Sequence, residues 1–317
     1  MTIRRALSAT AATASLLALV PVTAAGRPAI SLPALHGEIA GPPAAQATPA
    51  AQATPAAAAK PAAARGLDWV RIRGGRFAMG SDFTGAVDVP GRLVSVAPFE
   101  LARTEVTVAQ YQACVDADVC TARETVAWAG IKPADAVFWS AACNADAPGQ
   151  GDHPMNCVGA GDAEQFCAWA GGRLPSPKEW EFAARGVEER TFPWGDDLPD
   201  GTRVNTCGEG CLELGTAWRK AGFRVMNGAD ARFVTTSPVG TFPAGRTPEG
   251  VVDLAGNVWE WMAAPVCHAP GGQCADVRRE HRGGGWWTND PARLASATAM
   301  THAPTHRSAN LGFRCAK

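Results

Sequence analysis

The sequence predicts an α+β domain with little regular secondary structure, closed by disulfides. Three observations lead there. Helix-start signals cluster between Thr107 and Gly186, whereas the chain beyond Gly186 consists of turns and short apolar runs rich in Gly, Pro and Trp. Aromatic usage is lopsided, 11 Trp against 1 Tyr, which suits a core wrapped by irregular loops. The 10 cysteines are an even number, as a bridged framework requires. The net charge of -1 offers no electrostatic case for nucleic acid or an anionic lipid surface.

The N-terminus sets the compartment. Arg4 and Arg5 precede the apolar run Leu16-Leu17-Ala18-Leu19-Val20, and small residues follow at Thr23-Ala24-Ala25. That is the pattern of a secretory signal peptide over 1–25, cleaved near Ala24 to Gly26. The run is too short for a membrane span. Residues 26–65 hold an Ala, Pro, Thr and Gln tract without the large apolar groups a core needs, so they are expected to be a disordered linker. The folded unit is then 66–317, a length that suits one large domain. The protein is expected to be exported, to the periplasm or the cell exterior.

Within that unit, Val70 and Ile72, then Phe77 and Met79, alternate with other residues around Gly74-Gly75, which predicts a hairpin. Val94, Val96, Phe99 and Leu101 continue in strand-like fashion. Thr107-Val108-Ala109-Gln110 is a capping box, and Val108, Tyr111 and Val115 fall on one helical face behind it. A second helix is expected from about Asp162 to Ala170, stopped by Gly171-Gly172. A third opens at Ser176-Pro177-Lys178-Glu179, buries Trp180, Ala183 and Ala184, and ends at Gly186.

The stretch from Val252 to Trp261 carries the chemistry. Asp253 and Glu260 sit among two indoles and several aliphatic side chains, and a carboxylate is costly to bury unless something neutralises it. A hard cation could do so, with the turn at Gly256-Asn257 aiming carbonyls inward. The alternative is a buried strand and turn whose carboxylates reach solvent. Among the cysteines, Cys114 and Cys120, Cys143 and Cys157, Cys207 and Cys211, and Cys267 and Cys274 lie close in sequence, leaving Cys167 and Cys315. In an exported protein five disulfides are the default. Cys207-x3-Cys211 also has the shape of half a metal site, though no second pair accompanies it.

Assembled in order, the motifs resemble the formylglycine-generating enzyme, or sulfatase-modifying factor, family. They are Phe77-Ala78-Met79-Gly80, Thr104-Glu105-Val106-Thr107 with Tyr111, His153-Pro154, Phe166-Cys167-Ala168-Trp169-Ala170, and Arg173-Leu174-Pro175-Ser176 with Glu179 to Gly186. Pro193-Trp194-Gly195, Ser237-Pro238-Val239-Gly240, Gly256-Asn257-Val258-Trp259-Glu260-Trp261, Arg282-Gly283-Gly284 and Leu311-Gly312-Phe313-Arg314-Cys315 complete the series. The resemblance implies a single compact domain of C-type-lectin-like topology. It implies a calcium site of Asp253, the carbonyls of Gly256 and Val258, and Glu260. A second calcium would fall near Asn205, Thr206, Asp230 and Phe233, where the spacing departs by about a residue. It also implies that Cys167 pairs with Cys315.

The departures matter as much. In the oxidising enzymes of that family a Ser and two Cys follow Arg-Gly-Gly, and the two thiols bind copper(I) and activate oxygen. Here Gly285 stands at the Ser position, Thr288 at the first Cys and Arg293 at the second. Neither offers the soft sulfur that copper(I) requires, so copper is not expected. Two roles then compete. One is a binding or accessory module that presents Trp286, Trp287, Asn289 and Arg293, with His302 and His306, to a peptide, protein or glycan. The alternative for the two indoles is core packing of one and edge exposure of the other. The other role is a divergent metal-dependent oxidoreductase acting on a protein or peptide, with His281, His302 and His306 as nitrogen ligands for iron. Pro304 breaks any helix that would align the last two. The alternative for these histidines is three solvated loop residues.

Overall fold

The computed structural model describes residues 66–80, 91–217, 224–226, 232–267 and 277–317. The expected signal peptide and linker lie outside these residues, as do Asp230 and Cys274. Among the described residues no helix is long and apolar enough to cross a membrane.

Four short strands come first: β1 (Trp69–Ile72), β2 (Gly75–Met79), β3 (Arg92–Val96) and β4 (Phe99–Ala102). The expected hairpin about Gly74-Gly75 does not form. Instead β1 pairs with β4 and β2 with β3, both antiparallel, in two separate sheets. Gly74 shows why. Its φ is +72°, and a Cβ there would lie 2.4 Å from the Val96 carbonyl oxygen, so the chain turns hard against the β3–β4 connection rather than back on itself. The alternation itself holds. Val70, Ile72, Phe77, Val96, Phe99 and Leu101 bury together with Trp180 and Phe182 of the fourth helix.

Helix α1 (Val108–Val115) starts at its capping box, with Thr107 Oγ1 accepting from the Gln110 N–H at 3.2 Å and Gln110 Oε1 accepting from the Thr107 N–H at 2.9 Å. The helix over Ala160–Trp169, α3, begins two residues before Asp162, which places that carboxylate where it accepts from the Gly159 N–H at 2.9 Å. Helix α4 (Pro177–Arg185) has Glu179 accepting from the Ser176 N–H at 2.9 Å and ends at Gly186 with φ +65°. Two further helices, α2 (Pro133–Ser140) and α5 (Glu209–Ala217), correct the expectation of three. Helix α2 has the same start signal as α4, a proline at its first position and an acid at its third, Asp135, yet none of its residues is fully buried. Its apolar residues run consecutively and mark no helical face.

The later half supplies a four-stranded sheet in the order β7–β6–β5–β8. It consists of β5 (Trp259–Cys267), β6 (Val277–Arg282), β7 (Ala299–His302) and β8 (Leu311–Gly312), with only β5–β8 parallel. Four disulfides join Cys114–Cys120, Cys143–Cys157, Cys167–Cys315 and Cys207–Cys211. Cys207 and Cys211 are therefore a bridge and not half a metal site. The expected Cys267–Cys274 pair falls outside the described residues.

Candidate functional site

A cavity of about 640 Å³ opens above one end of the β7–β6–β5–β8 sheet. Trp259 at the start of β5, His281 on β6, and Met300 and His302 on β7 reach it from the sheet. Trp287, Thr288, Asn289, Asp290 and Arg293 come from the loop after β6, His306, Ser308, Asn310 and Leu311 from the segment leading into β8, and Trp139 and Trp128 from α2 and the loop before it. The loop after β6 is pinned at its root. Trp286 is 1% exposed, donates from Nε1 to the Ala309 carbonyl at 3.0 Å, and donates from its backbone N–H to the Asn257 carbonyl at 2.8 Å. Trp287 is half-buried and meets Trp139 edge to face at 5.2 Å. One indole of the pair thus belongs to the core and the other to the cavity. Sequence reasoning missed Trp128, Trp139, Trp259, Met300, Ser308 and Asn310, because no local pattern tells which distant indoles share a wall.

The three histidines do converge. The register between β6 and β7 sets His281 opposite Met300 and Arg279 opposite His302, and this brings the two imidazoles together. His281 Nε2 lies 2.6 Å from His302 Nδ1, with the rings 12° apart and their centroids separated by 4.9 Å. That separation is about what two ring radii added to the N···N distance give, so the hydrogen bond runs end to end in the plane of both rings. His306 lies face-on against His302 at 4.0 Å, and Trp128 covers His306 at 5.6 Å. Burial is the main force pushing all three towards the neutral form: well below the ordinary range for His281, down to about 4 for His306, and to a lesser degree for His302, where Arg278 adds to it. The three rings expected as nitrogen ligands therefore sit together in one cluster. Two of the nitrogens face each other at hydrogen-bonding distance, and the third ring stacks on His302. Among the described residues no group of three such side chains has the geometry of a metal site.

The family's oxidising positions lie in the same cavity. Thr288 is 4% exposed and its Oγ1 accepts from the Gly285 N–H at 3.0 Å, so it braces the turn. Arg293 is exposed, and its guanidinium makes one hydrogen bond, to the Met300 thioether at 3.9 Å. A Cβ at Gly285 would lie 3.0 Å from the Asn310 carbonyl oxygen and 3.2 Å from the Trp259 ring. A serine there would crowd both.

Beneath the sheet, Glu260 answers the question posed by its burial. It is fully buried, and Arg314, equally buried, donates to both its oxygens at 2.8 Å. Trp180 Nε1 adds a third hydrogen bond at 2.7 Å. A guanidinium therefore neutralises this carboxylate. Asp253 accepts from the Gly240 N–H at 2.5 Å, and burial raises its carboxyl to about 6. Glu105 is fully buried beside them, neither of its oxygens has a hydrogen-bond partner, and burial followed by the Asp253 charge holds its pKa well above the usual carboxylate range. Three carboxylates thus face one guanidinium. Asp253 and Glu105 are the carboxylates here that would be available to the calcium the family resemblance implies. It fits poorly at Glu260, whose oxygens are taken. At the second expected calcium set, Asn205 donates to Asn257 Oδ1 at 3.2 Å and to the Thr235 carbonyl at 3.0 Å, and Thr206 Oγ1 meets Met226 Sδ at 3.8 Å. Phe233 packs edge-on against Phe242. These contacts stitch loops together.

Comparison with known proteins places this arrangement. Residues 55–317 match the sulfatase-modifying factor enzyme 1-like domain. The chain is 32% identical over 296 residues to the formylglycine-generating enzyme of Streptomyces coelicolor, covering 78% of this chain and 88% of that protein. It is 31% identical over 290 residues to the inactive C-alpha-formylglycine-generating enzyme 2 of Bos taurus, covering 79% and 88%. Among solved structures it resembles PvdO from Pseudomonas aeruginosa, with a TM-score of 0.55 and 24% identity over 80% of this chain and 94% of that one. The chain belongs to the sulfatase-modifying factor, or formylglycine-generating enzyme, family.

Proposed function

We propose that this protein is an exported member of the family that does not generate formylglycine and that its cavity receives a peptide, protein or glycan ligand. One observation carries the reading. At the positions where the oxidising enzymes hold copper(I) between two thiols, the cavity has a hydroxyl already spent on bracing a turn and a fixed positive charge. The surrounding wall is intact and rich in indole, as a binding surface would be. Similarity to a protein named as inactive supports the same reading. The reading includes a structural calcium at Asp253 and the carbonyls of Gly256 and Val258, supported by the surplus of buried carboxylate.

The test incubates the copper-supplied, calcium-loaded protein with a Cys-x-Pro-x-Arg peptide and oxygen. No aldehyde is expected above the level of a Thr288→Ala, Arg293→Ala control. Aldehyde above that level would end the proposal.

A further inference from the structure

The histidine pair fixes more than its own position. His281 Nδ1 is buried and has no hydrogen-bond partner. A buried N–H left unpaired is rarer and more costly than an unpaired acceptor. The proton of His281 therefore sits on Nε2 and is donated to His302 Nδ1. A neutral His302 then carries its own proton on Nε2, across Cε1 from the bonded nitrogen, and His302 lines the cavity.

The remaining polar groups lean the same way. Three of the cavity's acceptors already hold one hydrogen bond each: Thr288 Oγ1 from the Gly285 N–H at 3.0 Å, Asn310 Oδ1 from the Ser308 hydroxyl at 2.9 Å, and Asp290 Oδ1 from the Ala292 N–H at 3.0 Å. Donors are open. Among the described residues no carboxylate pairs with Arg293, and its one hydrogen bond is to a thioether. Arg278 on β6 adds positive charge near His302, and Asp290, exposed at the rim, is the opposing charge. A carboxylate needs donors only. The flat body that such a group rides on would lie between indoles.

Extending the ligand-binding reading above, we infer that the cavity binds an aromatic carboxylate, with Arg293 and the His302 Nε2–H as donors and the indoles as walls. The ligand is either a small aromatic acid or the C-terminal residue of a peptide. His281 is a positioning residue, since it acts only through the tautomer of His302.

The experiment titrates the full chain with N-acetylphenylalanine, its uncharged amide, phenethylamine and glucuronate, following indole fluorescence and calorimetry. The acid should bind, and the amide should bind at least about tenfold more weakly, the usual worth of a charge-assisted hydrogen bond. Arg293→Gln should remove that difference without weakening the amide, and Arg293→Lys should restore part of it. Nitrogen-15 correlation spectra should show His302 protonated on Nε2 in the native chain, and this assignment should be lost in His281→Phe. A peptide ending in Phe that binds more tightly than the N-acetyl acid would identify a peptide terminus as the source, and equal affinity would identify a small acid. The inference is overturned if acid and amide bind alike, if the amine or glucuronate is preferred, if the acid does not bind, or if the three imidazoles take up added copper(II) or cobalt(II) in place of the shared proton. None of these outcomes produces an aldehyde, so failure here is separable from failure of the formylglycine reading.

Discussion

Glu260→Gln is the sharpest probe of how this fold neutralises its buried acid. The substitution preserves shape and one acceptor oxygen while deleting the charge. Arg314 is then left in a site with no solvent exposure, holding the carbonyls of Ala102, Arg103 and Val252 but no anion in direct contact. Two charges about 4 Å apart attract by about 4 kcal/mol at an effective dielectric of about 20. Breaking a buried pair from one side costs about 3–5 kcal/mol, because the surviving charge stays buried. Glu260→Gln should therefore lose about 3–5 kcal/mol in denaturant unfolding, in calcium and in chelator alike. Glu260→Leu combined with Arg314→Met should cost less than either single change, since it leaves no lone charge. A loss below about 1 kcal/mol would refute the reasoning. So would a loss that disappears in chelator, which would mean that calcium and not Arg314 is the partner.

Two further outcomes follow from the same structure. Replacing both Cys167 and Cys315 by Ala should lower stability by about 2–4 kcal/mol, because their bridge closes a separation of 148 residues; thermal melts of the oxidised proteins check it, and an unchanged melting temperature would count against that bridge. His306, held neutral down to about 4 against an ordinary 6.5, binds its proton more readily in the unfolded chain. Its contribution is full above pH 6.5 and falls as pH drops towards 4, so the stability difference between wild type and His306→Gln should shrink across that window. A constant difference in denaturant midpoints would contradict this. The raised Asp253 and Glu105 act in the opposite sense, which is why the difference between the two proteins is the quantity to follow.

What was legible in the sequence was local. The capping groups of Thr107, Gln110, Ser176 and Glu179 sit within a turn of the backbone they satisfy, and those helices start where expected. Pairing between strands was not legible. Val70 and Phe77 alternate correctly, but β1 pairs past β2 and β3 with β4, and only the close approach at Gly74 reveals it. Helix α2 escaped notice because its apolar residues run consecutively and bury no face, although Pro133 and Asp135 mark its start. The candidate site divides the same way. Thr288 and Arg293 could be placed by motif, whereas the partner of Glu260 stands 54 residues away and the histidines meet only through the β6–β7 register.

The root of the loop after β6 has a consequence for how such a protein changes over time. Trp286 is held by Asn257 and Ala309, Gly283 by the Gly256 N–H, and Asn257 in turn by Asn205 and Ser237. Every one of these ties ends before the tip that carries Asn289 to Arg293. Substitutions at that tip leave the anchoring bonds in place, so its side chains can be exchanged at little cost to folding. Inheritance can then conserve the frame strictly while the chemistry of the mouth drifts, and sequence identity across the frame becomes a poor guide to what the mouth does.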